Sequence, residues 1–338
     1  MSGENSLRKS GRSAATPHQE PQPNLPQYIS MVLDSPPLLI VGTGAMACLF
    51  AWRFAAAGTP FTMLGSWPEG VAALRQNGVR VTEPGGNQKV FPVQVVTEPS
   101  ACPGMPFALV LVKSWQTEYI AQQLSQCLDA QGLAVTLQNG MGNREKLALT
   151  LGSQRVALGV TTAGAYLLGP GHVQPAGEGT ITLGIHSRMK PLADLLRTAG
   201  FIVESAPDPN ILMWGKLVIN AAINPLTALL RVPNGELLNK PTTRALMAAV
   251  AREAAAVAVA KGVDLPYPDP VVATETIASR TASNYSSMLQ DVLRGAPTEI
   301  DAISGAIVQA SEHTGMPAPI NRTLWQLVKG LTTQNTKL

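Results

Sequence analysis

The chain has 338 residues, of which 45% are hydrophobic and 14% charged. This length predicts about two domains with proper cores, and the composition excludes a small disulfide-stapled scaffold and a globally disordered chain. The formal charge of +3 comes without a dense Lys/Arg stripe, so we expect no nucleic-acid partner.

The N-terminal segment, residues 1–36, is polar and Pro-bearing and lacks the apolar stretch of a secretory signal. We predict a disordered tail there; an alternative start at Met31 and a targeting leader both stay open. No run reaches about 18 uninterrupted apolar residues, so we expect no membrane span. Cys48, Cys102 and Cys127 match no paired or metal-ligand spacing, and the four histidines form no ligand set. We therefore expect reduced thiols, no metal and a cytoplasmic setting.

Ordered structure is predicted from residue 37 onwards as alternating strands and helices. The apolar run Leu38–Val41, a glycine turn, a helix to Ala57 and the run Phe61–Leu64 predict a β-α-β unit. The alternation then continues in a rhythm typical of a parallel sheet with helices on its faces. Its members are the apolar runs 107–112, 133–137 and 156–160 and the helical segments 71–76, 117–128 and 144–149. Two shorter β-like pieces, 172–175 and 180–185, end this half.

After residue 207 the pattern changes to long helical segments. They span 211–230, 242–261, 270–294, 297–314 and 321–331. We therefore predict an α/β fold in which a Rossmann-type dinucleotide-binding domain (37–207) is followed by an all-α domain (208–338) with substrate-binding and catalytic groups.

The turn after the first strand carries the pattern of a dinucleotide site. In Gly42-x-Gly44-x-x-Ala47 the first glycine permits the tight turn, and the second lets the backbone approach a pyrophosphate. The N–H groups at the start of the following helix then favour the phosphate charge. An ordinary glycine turn is the alternative, because the pattern also occurs by chance.

The end of the second strand bears on the choice of cofactor. NAD binding normally places Asp or Glu there, about 20 residues after the glycines. This chain has Ser66 and no acidic residue before Glu69, which favours NADP. An Arg that would attract a 2′-phosphate is absent too, and Arg75 is a more distant candidate.

Three polar side chains share one face of a helix that is otherwise apolar. Lys216, Asn220 and Asn224 are spaced four residues apart, with apolar residues between them. A buried ammonium and two buried carboxamides are costly without partners, which indicates a ligand-binding face. A solvated polar stripe is the alternative. Pro225 is expected to bend or end this helix.

Three further positions have both a functional and a structural interpretation. Lys113 and Asn139 follow predicted strands and fall at the carboxyl edge of the sheet, where open α/β folds bind ligands. A solvated Lys and a helix-capping Asn are the alternatives. Pro297 at a first helical position would place Glu299 in the first turn of a helix, where a carboxylate is favourable whatever the function.

From residue 37 to about residue 330 the chain resembles the ketopantoate reductase family (2-dehydropantoate 2-reductase). The motifs that carry the resemblance are the turn at 42–47, Val112-Lys113-Ser114-Trp115-Gln116, Gln138-Asn139-Gly140-Met141-Gly142, Trp214-Gly215-Lys216-Leu217, Asn224-Pro225-Leu226-Thr227-Ala228, Pro233-Asn234-Gly235-Glu236-Leu237, Ser286-Ser287-Met288-Leu289-Gln290-Asp291 and Thr298-Glu299-Ile300-Asp301.

The resemblance implies NADPH-dependent reduction of 2-dehydropantoate to pantoate, a step of pantothenate and coenzyme A biosynthesis. It implies that Lys216 is the proton donor and that Glu299 borders the cofactor and the active site. The implied cofactor site comprises Gly42, Thr43, Gly44, Ala45, Met46, Ala47, Lys113, Asn139, Ala165 and Glu299. The implied substrate site comprises Asn139, Lys216, Asn220, Asn224, Asn234 and Ser287. Ala47 replaces a common family glycine, and Ser66 stands where such enzymes often have Arg, so strict NADPH preference is not implied.

Reduction of a ketone needs a cation beside the carbonyl oxygen to stabilise charge and donate a proton. Burial would lower the pKa of Lys216 and Glu299 would oppose this shift, and the sequence does not decide between them. Two other interpretations stay open, an NADPH-dependent reductase of another branched 2-oxo acid and a non-catalytic NADP-binding sensor. Nothing in the sequence fixes the oligomeric state, and a homodimer is left open.

Overall fold

The computed structural model describes residues 38–333, and the tail predicted over 1–36 lies outside the described residues. Within that range, twelve strands and twelve α-helices form an eight-stranded sheet, a four-stranded sheet and a helical second half. The predicted fold class, a Rossmann-type first half followed by helices, is confirmed.

The strands are β1 (Leu38–Val41), β2 (Phe61–Leu64), β3 (Val79–Thr82), β4 (Gln88–Phe91), β5 (Gln94–Val96), β6 (Met105–Val110), β7 (Leu128–Thr136), β8 (Val156–Thr161), β9 (Ala165–Gly169), β10 (His172–Pro175), β11 (Thr180–Gly184) and β12 (Ile202–Ala206). The helices are α1 (Ala45–Ala56), α2 (Pro68–Asn77), α3 (Thr117–Cys127), α4 (Asn143–Leu151), α5 (Met189–Thr198), α6 (Pro209–Leu230), α7 (Glu236–Asn239), α8 (Pro241–Ala260), α9 (Pro270–Arg280), α10 (Ser287–Leu293), α11 (Ala306–Thr314) and α12 (Pro319–Thr333). A π-helical segment, Asp301–Gly305, leads into α11.

The large sheet has the strand order β12-β11-β8-β7-β6-β1-β2-β5. All neighbouring strands from β5 to β8 are parallel, as the alternation of strands and helices predicts. β11 runs antiparallel to β8, and β12 pairs parallel with β11. The chain leaves β1 for β2 on one side and later returns to β6 on its other side. Such a switch point opens a crevice at the carboxyl ends of the strands.

The small sheet is not predicted as a unit by the sequence pattern. Its order is β4-β3-β10-β9, and the sequence pattern predicts only β10. β4 is exposed along most of its length, so it lacks the apolar alternation that identifies a strand. β12 and α5 are likewise not predicted. The small sheet is relevant to function because β9 contributes to the wall of the crevice.

Helix α6 is the central helix of the second half. The expectation that Pro225 could end it is wrong, because α6 continues to Leu230. Residues 221–228 are all buried, so packing around the proline outweighs the loss of one backbone hydrogen bond. α6 is long and apolar enough to cross a membrane, but 72% of its apolar window is buried inside the fold, as in a core helix.

Two other predicted helices are wrong in extent. The segment 270–294 contains two helices, α9 and α10, because the Ser286 side chain accepts a hydrogen bond from the Leu289 N–H and caps a new helix. Pro297 does not start a helix, since helical backbone begins at Asp301. Glu299 therefore precedes the helix instead of lying in its first turn.

Two main apolar cores support these layers. One packs α1, α2 and α5 against the large sheet, and the other packs α6 against α8 and its neighbours. The three cysteines are free and buried. The boundary predicted near residue 207 falls between β12 and α6, but the described residues lie in one compact unit, so the two-domain division stays a prediction.

Candidate active site

A crevice of about 850 Å³ lies at the carboxyl ends of β1, β6, β7 and β8. Helices α6 and α10 and strand β9 close it from the other side. Every predicted site residue except Ala47 lines it. These residues are Gly42, Thr43, Gly44, Ala45, Met46, Lys113, Asn139, Ala165, Lys216, Asn220, Asn224, Asn234, Ser287 and Glu299. The fold thus gathers them in one place, and their individual roles stay predictions.

The glycine turn has the geometry that a dinucleotide phosphate needs. Gly42 has φ +124°, and a Cβ there would lie 3.3 Å from the side chain of Val112. Gly44 is the N-cap of α1 and has no side chain that could cap the helix. No side chain therefore competes with a phosphate for the first N–H groups of α1. Ala47 is fully buried within α1 and packs in the core. The turn therefore fits a phosphate group.

The end of β2 lies directly beside this turn. Gly65 permits the contact, because a Cβ there would lie 2.4 Å from the Thr43 side chain. Ser66 is exposed and Trp67 is half-buried, and both line the crevice. The distant candidate Arg75 donates from Nε to the Val95 carbonyl oxygen at 3.1 Å and does not line the crevice.

Lys216 extends from α6 to the carboxyl ends of two strands. Its Nζ donates to Asn139 Oδ1 and to the Thr161 carbonyl oxygen, each at 2.8 Å. Burial lowers the pKa of Lys216 to about 8, although the charge of Glu299 acts in the opposite direction. The sequence leaves open whether burial or Glu299 has the larger effect on this pKa, and in the structure burial does. An ammonium has three N–H donors, and contacts within residues 38–333 account for two of them.

Asn139 connects Lys216 to Glu299. Its Nδ2 donates to Glu299 Oε2 at 3.3 Å, while its Oδ1 accepts from Lys216. Asn139 does not cap α4, since the N-cap is Gly142. The other Glu299 oxygen accepts from the Ser114 N–H at 3.0 Å. Glu299 thus holds the Asn139 amide in the orientation that presents its oxygen to Lys216.

Lys113 has different surroundings on the same crevice. Its Nζ lies 2.6 Å from Asp291 Oδ2 and 3.8 Å from Glu299 Oε2. Burial acts to lower the pKa of Lys113, but Glu299 and Asp291 together raise it above its usual value. Asp291 is buried and also pairs with Arg294 at 2.8 Å. Lys113 is therefore an ion-paired cation rather than the solvated side chain of the alternative interpretation.

The remaining predicted residues lie on the helical side. Asn234 is buried, and its Nδ2 donates to Thr281 Oγ1 at 2.9 Å. Thr281 Oγ1 donates to the Ile277 carbonyl oxygen, so it can only accept from Asn234. This fixes the amide orientation and leaves Asn234 Oδ1 buried without a partner among the described residues. Asn234 thus lines the crevice, and its Oδ1 is a buried acceptor that has no donor among the described residues.

Sequence reasoning misses several groups that complete the site. Asp291 belongs to the family motif at residues 286–291 but is not predicted as a site residue. The acceptor that Thr161 offers to Lys216 is its backbone carbonyl oxygen, which no sequence pattern indicates. Tyr166 and Tyr285 also line the crevice, from β9 and from the loop between α9 and α10. The position of Asp291 four residues after Ser287 was the available signal, since that spacing places both on one helical face.

Comparison with known proteins identifies the family. The family described as "Ketopantoate reductase PanE/ApbA" matches residues 38–188, and its C-terminal counterpart matches residues 210–332. The 2-dehydropantoate 2-reductase of Archaeoglobus fulgidus is 37% identical over 297 residues, covering 86% of this chain and 96% of that one. The enzyme of the same name from Halobacterium salinarum is 34% identical over 297 residues, covering 86% and 97%.

Solved structures agree with this assignment. The crystal structure of a PanE/ApbA family ketopantoate reductase from Ralstonia eutropha has a TM-score of 0.82 and 33% identity, and covers 89% of this chain and 99% of that chain. A ternary structure of D-mandelate dehydrogenase with NADH and anilino(oxo)acetate has a TM-score of 0.83 at 24% identity, covers 89% of this chain and 99% of that chain, and shows the shared fold. The predicted resemblance is thereby confirmed, and the chain belongs to the ketopantoate reductase family of oxidoreductases.

Proposed function

We propose that this protein reduces 2-dehydropantoate to pantoate with NADPH, and that Lys216 donates the proton. The observation that carries the proposal is the Lys216 ammonium, which faces the crevice with a pKa lowered to about 8 and one N–H free of partners within the described chain. A reduced nicotinamide dinucleotide bound at the glycine turn would supply the hydride. The lack of an acidic residue at the end of β2 is compatible with the 2′-phosphate of NADPH.

Lys216 would act at the substrate's carbonyl oxygen. As hydride reaches C2, negative charge develops on that oxygen, and a positioned ammonium stabilises the charge and transfers a proton to it. A pKa near 8 makes Lys216 a better acid at neutral pH than an ordinary lysine, whose reference pKa is about 10.4. Its two existing hydrogen bonds fix the direction of the third N–H, which reduces the entropy lost on reaching the transition state.

Glu299 and Asn139 would position this proton donor. The Glu299 carboxylate holds the amide of Asn139, and the amide oxygen holds the ammonium. Glu299 also raises the pKa of Lys216 and so maintains the protonated form against desolvation. Asn220, Asn224 and Ser287 offer neutral donors in the same crevice, which suits a carboxylate substrate without adding further charge.

Asn234 supports a substrate that carries a hydroxyl group. Its buried Oδ1 accepts no hydrogen bond from the described residues, and a carboxylate or ketone oxygen could not satisfy it because these groups are also acceptors. The hydroxyl of 2-dehydropantoate is a donor, whereas 2-oxoisovalerate has none. This contrast favours 2-dehydropantoate over other branched 2-oxo acids.

The direct test is loss of NADPH absorbance on addition of 2-dehydropantoate to the full chain. We expect turnover, with kcat/KM at least about tenfold higher than for 2-oxoisovalerate, because an unpaired buried acceptor costs about 1–3 kcal/mol. Asn234→Ala should reduce the ratio of kcat/KM for 2-dehydropantoate to kcat/KM for 2-oxoisovalerate. Equal use of both 2-oxo acids would favour the broader reductase, and a dinucleotide that binds but is never oxidised would indicate a sensor.

The three buried free thiols support placing this reaction in the cytoplasm.

A further inference from the structure

The end of β2 holds an aromatic ring beside the glycine turn. The ring of Trp67 packs over Gly70 in the first turn of α2, where a Cβ would lie only 2.4 Å from Trp67 Cε3. The same position lies 3.0 Å from Thr43 Oγ1. Trp67 therefore packs on the first turn of α2, Gly70 lies close to both Trp67 and the phosphate-binding turn, and Trp67 lines the crevice. An aromatic face at this place is suited to stacking on a nucleobase.

The charges near this ring form the second observation. Three cations line the crevice within residues 38–333, and each is engaged elsewhere: Lys113 and Arg294 with Asp291, and Lys216 with Asn139. None of the three belongs to β2 or α2. Ser66, the exposed residue at the end of β2, has only a hydroxyl.

The start of α2 does not replace the missing cation. Its N-cap is Trp67, its first residue is Pro68, which has no N–H, and Glu69 places a carboxylate in the first turn. The side chain of Arg75 is held by the Val95 carbonyl oxygen on β5. A 2′-phosphate carries a charge of about −1.5 to −2 at neutral pH and would find no opposite charge here.

We infer that this chain recognises the adenosine part of its cofactor through the face of Trp67 and does not select for the 2′-phosphate, so that it binds NADP(H) and NAD(H) with similar affinity. This inference rests on the proposed function and sharpens its cofactor assignment. A hydrogen bond to a charged group contributes about 10- to 150-fold in affinity. A site without a cation at the 2′-phosphate lacks this preference for NADP(H) over NAD(H). Among the described residues of β2 and α2 that line the crevice, none is an acidic residue that would repel the 2′-phosphate of NADP(H) or a cation that would attract it, and Glu69 does not line the crevice.

The test is isothermal titration calorimetry of the full chain with NADP⁺ and with NAD⁺, without a 2-oxo acid. We expect Kd values within about tenfold of each other. Ser66→Arg should increase the NADP⁺ preference by at least about tenfold, because it supplies the missing cation at an exposed position. Trp67→Ala should weaken both dinucleotides by a similar factor of about fivefold or more, and Trp67→Phe should retain most of the affinity.

Arg75→Ala is the matched control, and we expect it to leave the ratio of the two Kd values unchanged. A selective loss of NADP⁺ affinity in this variant would overturn the inference, as would a preference above tenfold for either dinucleotide in the wild type. Binding of neither dinucleotide would overturn both this inference and the proposed function. Binding of both without reduction of 2-dehydropantoate would remove the proposed function and leave this inference standing.

Discussion

Lys216 and Lys113 lie on one crevice and both interact electrostatically with Glu299, yet the pKa of one falls and that of the other rises. Lys216 extends from α6 toward an amide oxygen and a carbonyl oxygen, which are neutral acceptors. Lys113 follows β6 and meets two carboxylates. The same side chain thus becomes a titratable acid or a permanent cation according to the charge of its acceptors.

This difference separates two tasks within one site. A neutral acceptor strengthens an ammonium's hold on the proton less than a carboxylate does, so burial prevails at Lys216 and its pKa is about 8. A carboxylate binds the proton-carrying form more strongly, so Lys113 stays charged. The Asp291 pair also connects the end of β6 with α10 and therefore joins the sheet to the helical half.

Removal of the titratable lysine should produce the largest effect. Lys216→Ala is expected to lower kcat for 2-dehydropantoate reduction by at least about a hundredfold, the low end for a general acid. Steady-state kinetics would measure this loss, and calorimetric Kd values for the dinucleotides would show whether the variant remains folded and able to bind. Near-normal kcat in Lys216→Ala would exclude this residue as the proton donor.

The pH dependence of the wild type should show which lysine titrates. Protonated Lys216 is the active form, so kcat/KM for reduction should be constant below about pH 8 and fall above it. The fall should approach about tenfold per pH unit for a single group. A profile that stays flat to pH 10 would contradict the lowered pKa, while oxidation of pantoate should show the opposite trend.

Removal of the permanent cation's partner should affect stability more than chemistry. Asp291→Asn leaves Lys113 and Arg294 with a weaker acceptor, and we expect the free energy of unfolding to fall by about 1–2 kcal/mol. Urea denaturation would measure this change, and Arg322→Ala, which removes an exposed ion pair with Glu312, is the matched control. A loss in kcat larger than that of Lys216→Ala would contradict the assignment of the chemical step to Lys216 and of a structural ion pair to Lys113.

Local patterns in the sequence are sufficient to predict part of this site. The spacing of Lys216, Asn220 and Asn224 depends only on helix periodicity, and the structure places all three on the crevice. The parallel part of the sheet is predicted for the same reason, because apolar runs and helices alternate along the chain. Each of these inferences uses residues that are close in sequence.

Contacts between distant residues could not be predicted in this way. Lys113 and Asp291 are 178 residues apart, and no periodicity connects them. Pro225 shows the converse case, since a valid local preference is overridden by the packing of a buried helix. The position of Glu299 before the π-helical segment also depends on tertiary contacts, including the Met141 N–H bond to the Ala302 carbonyl oxygen.

The smallest effect is expected where the two lysines share a neighbour. Glu299 raises the pKa of Lys216, so Glu299→Gln should lower that pKa and move the descending limb of the pH profile to lower pH. Asp291→Asn should leave the limb in place, because the Asp291 charge acts on Lys113 and not on Lys216. The measurement is kcat/KM for reduction between pH 6 and about pH 10 in both variants. An equal shift in the two variants would mean that Asp291 and Glu299 both set the pKa of Lys216, whereas a shift in Glu299→Gln alone would show that Glu299 acts on Lys216 and Asp291 does not.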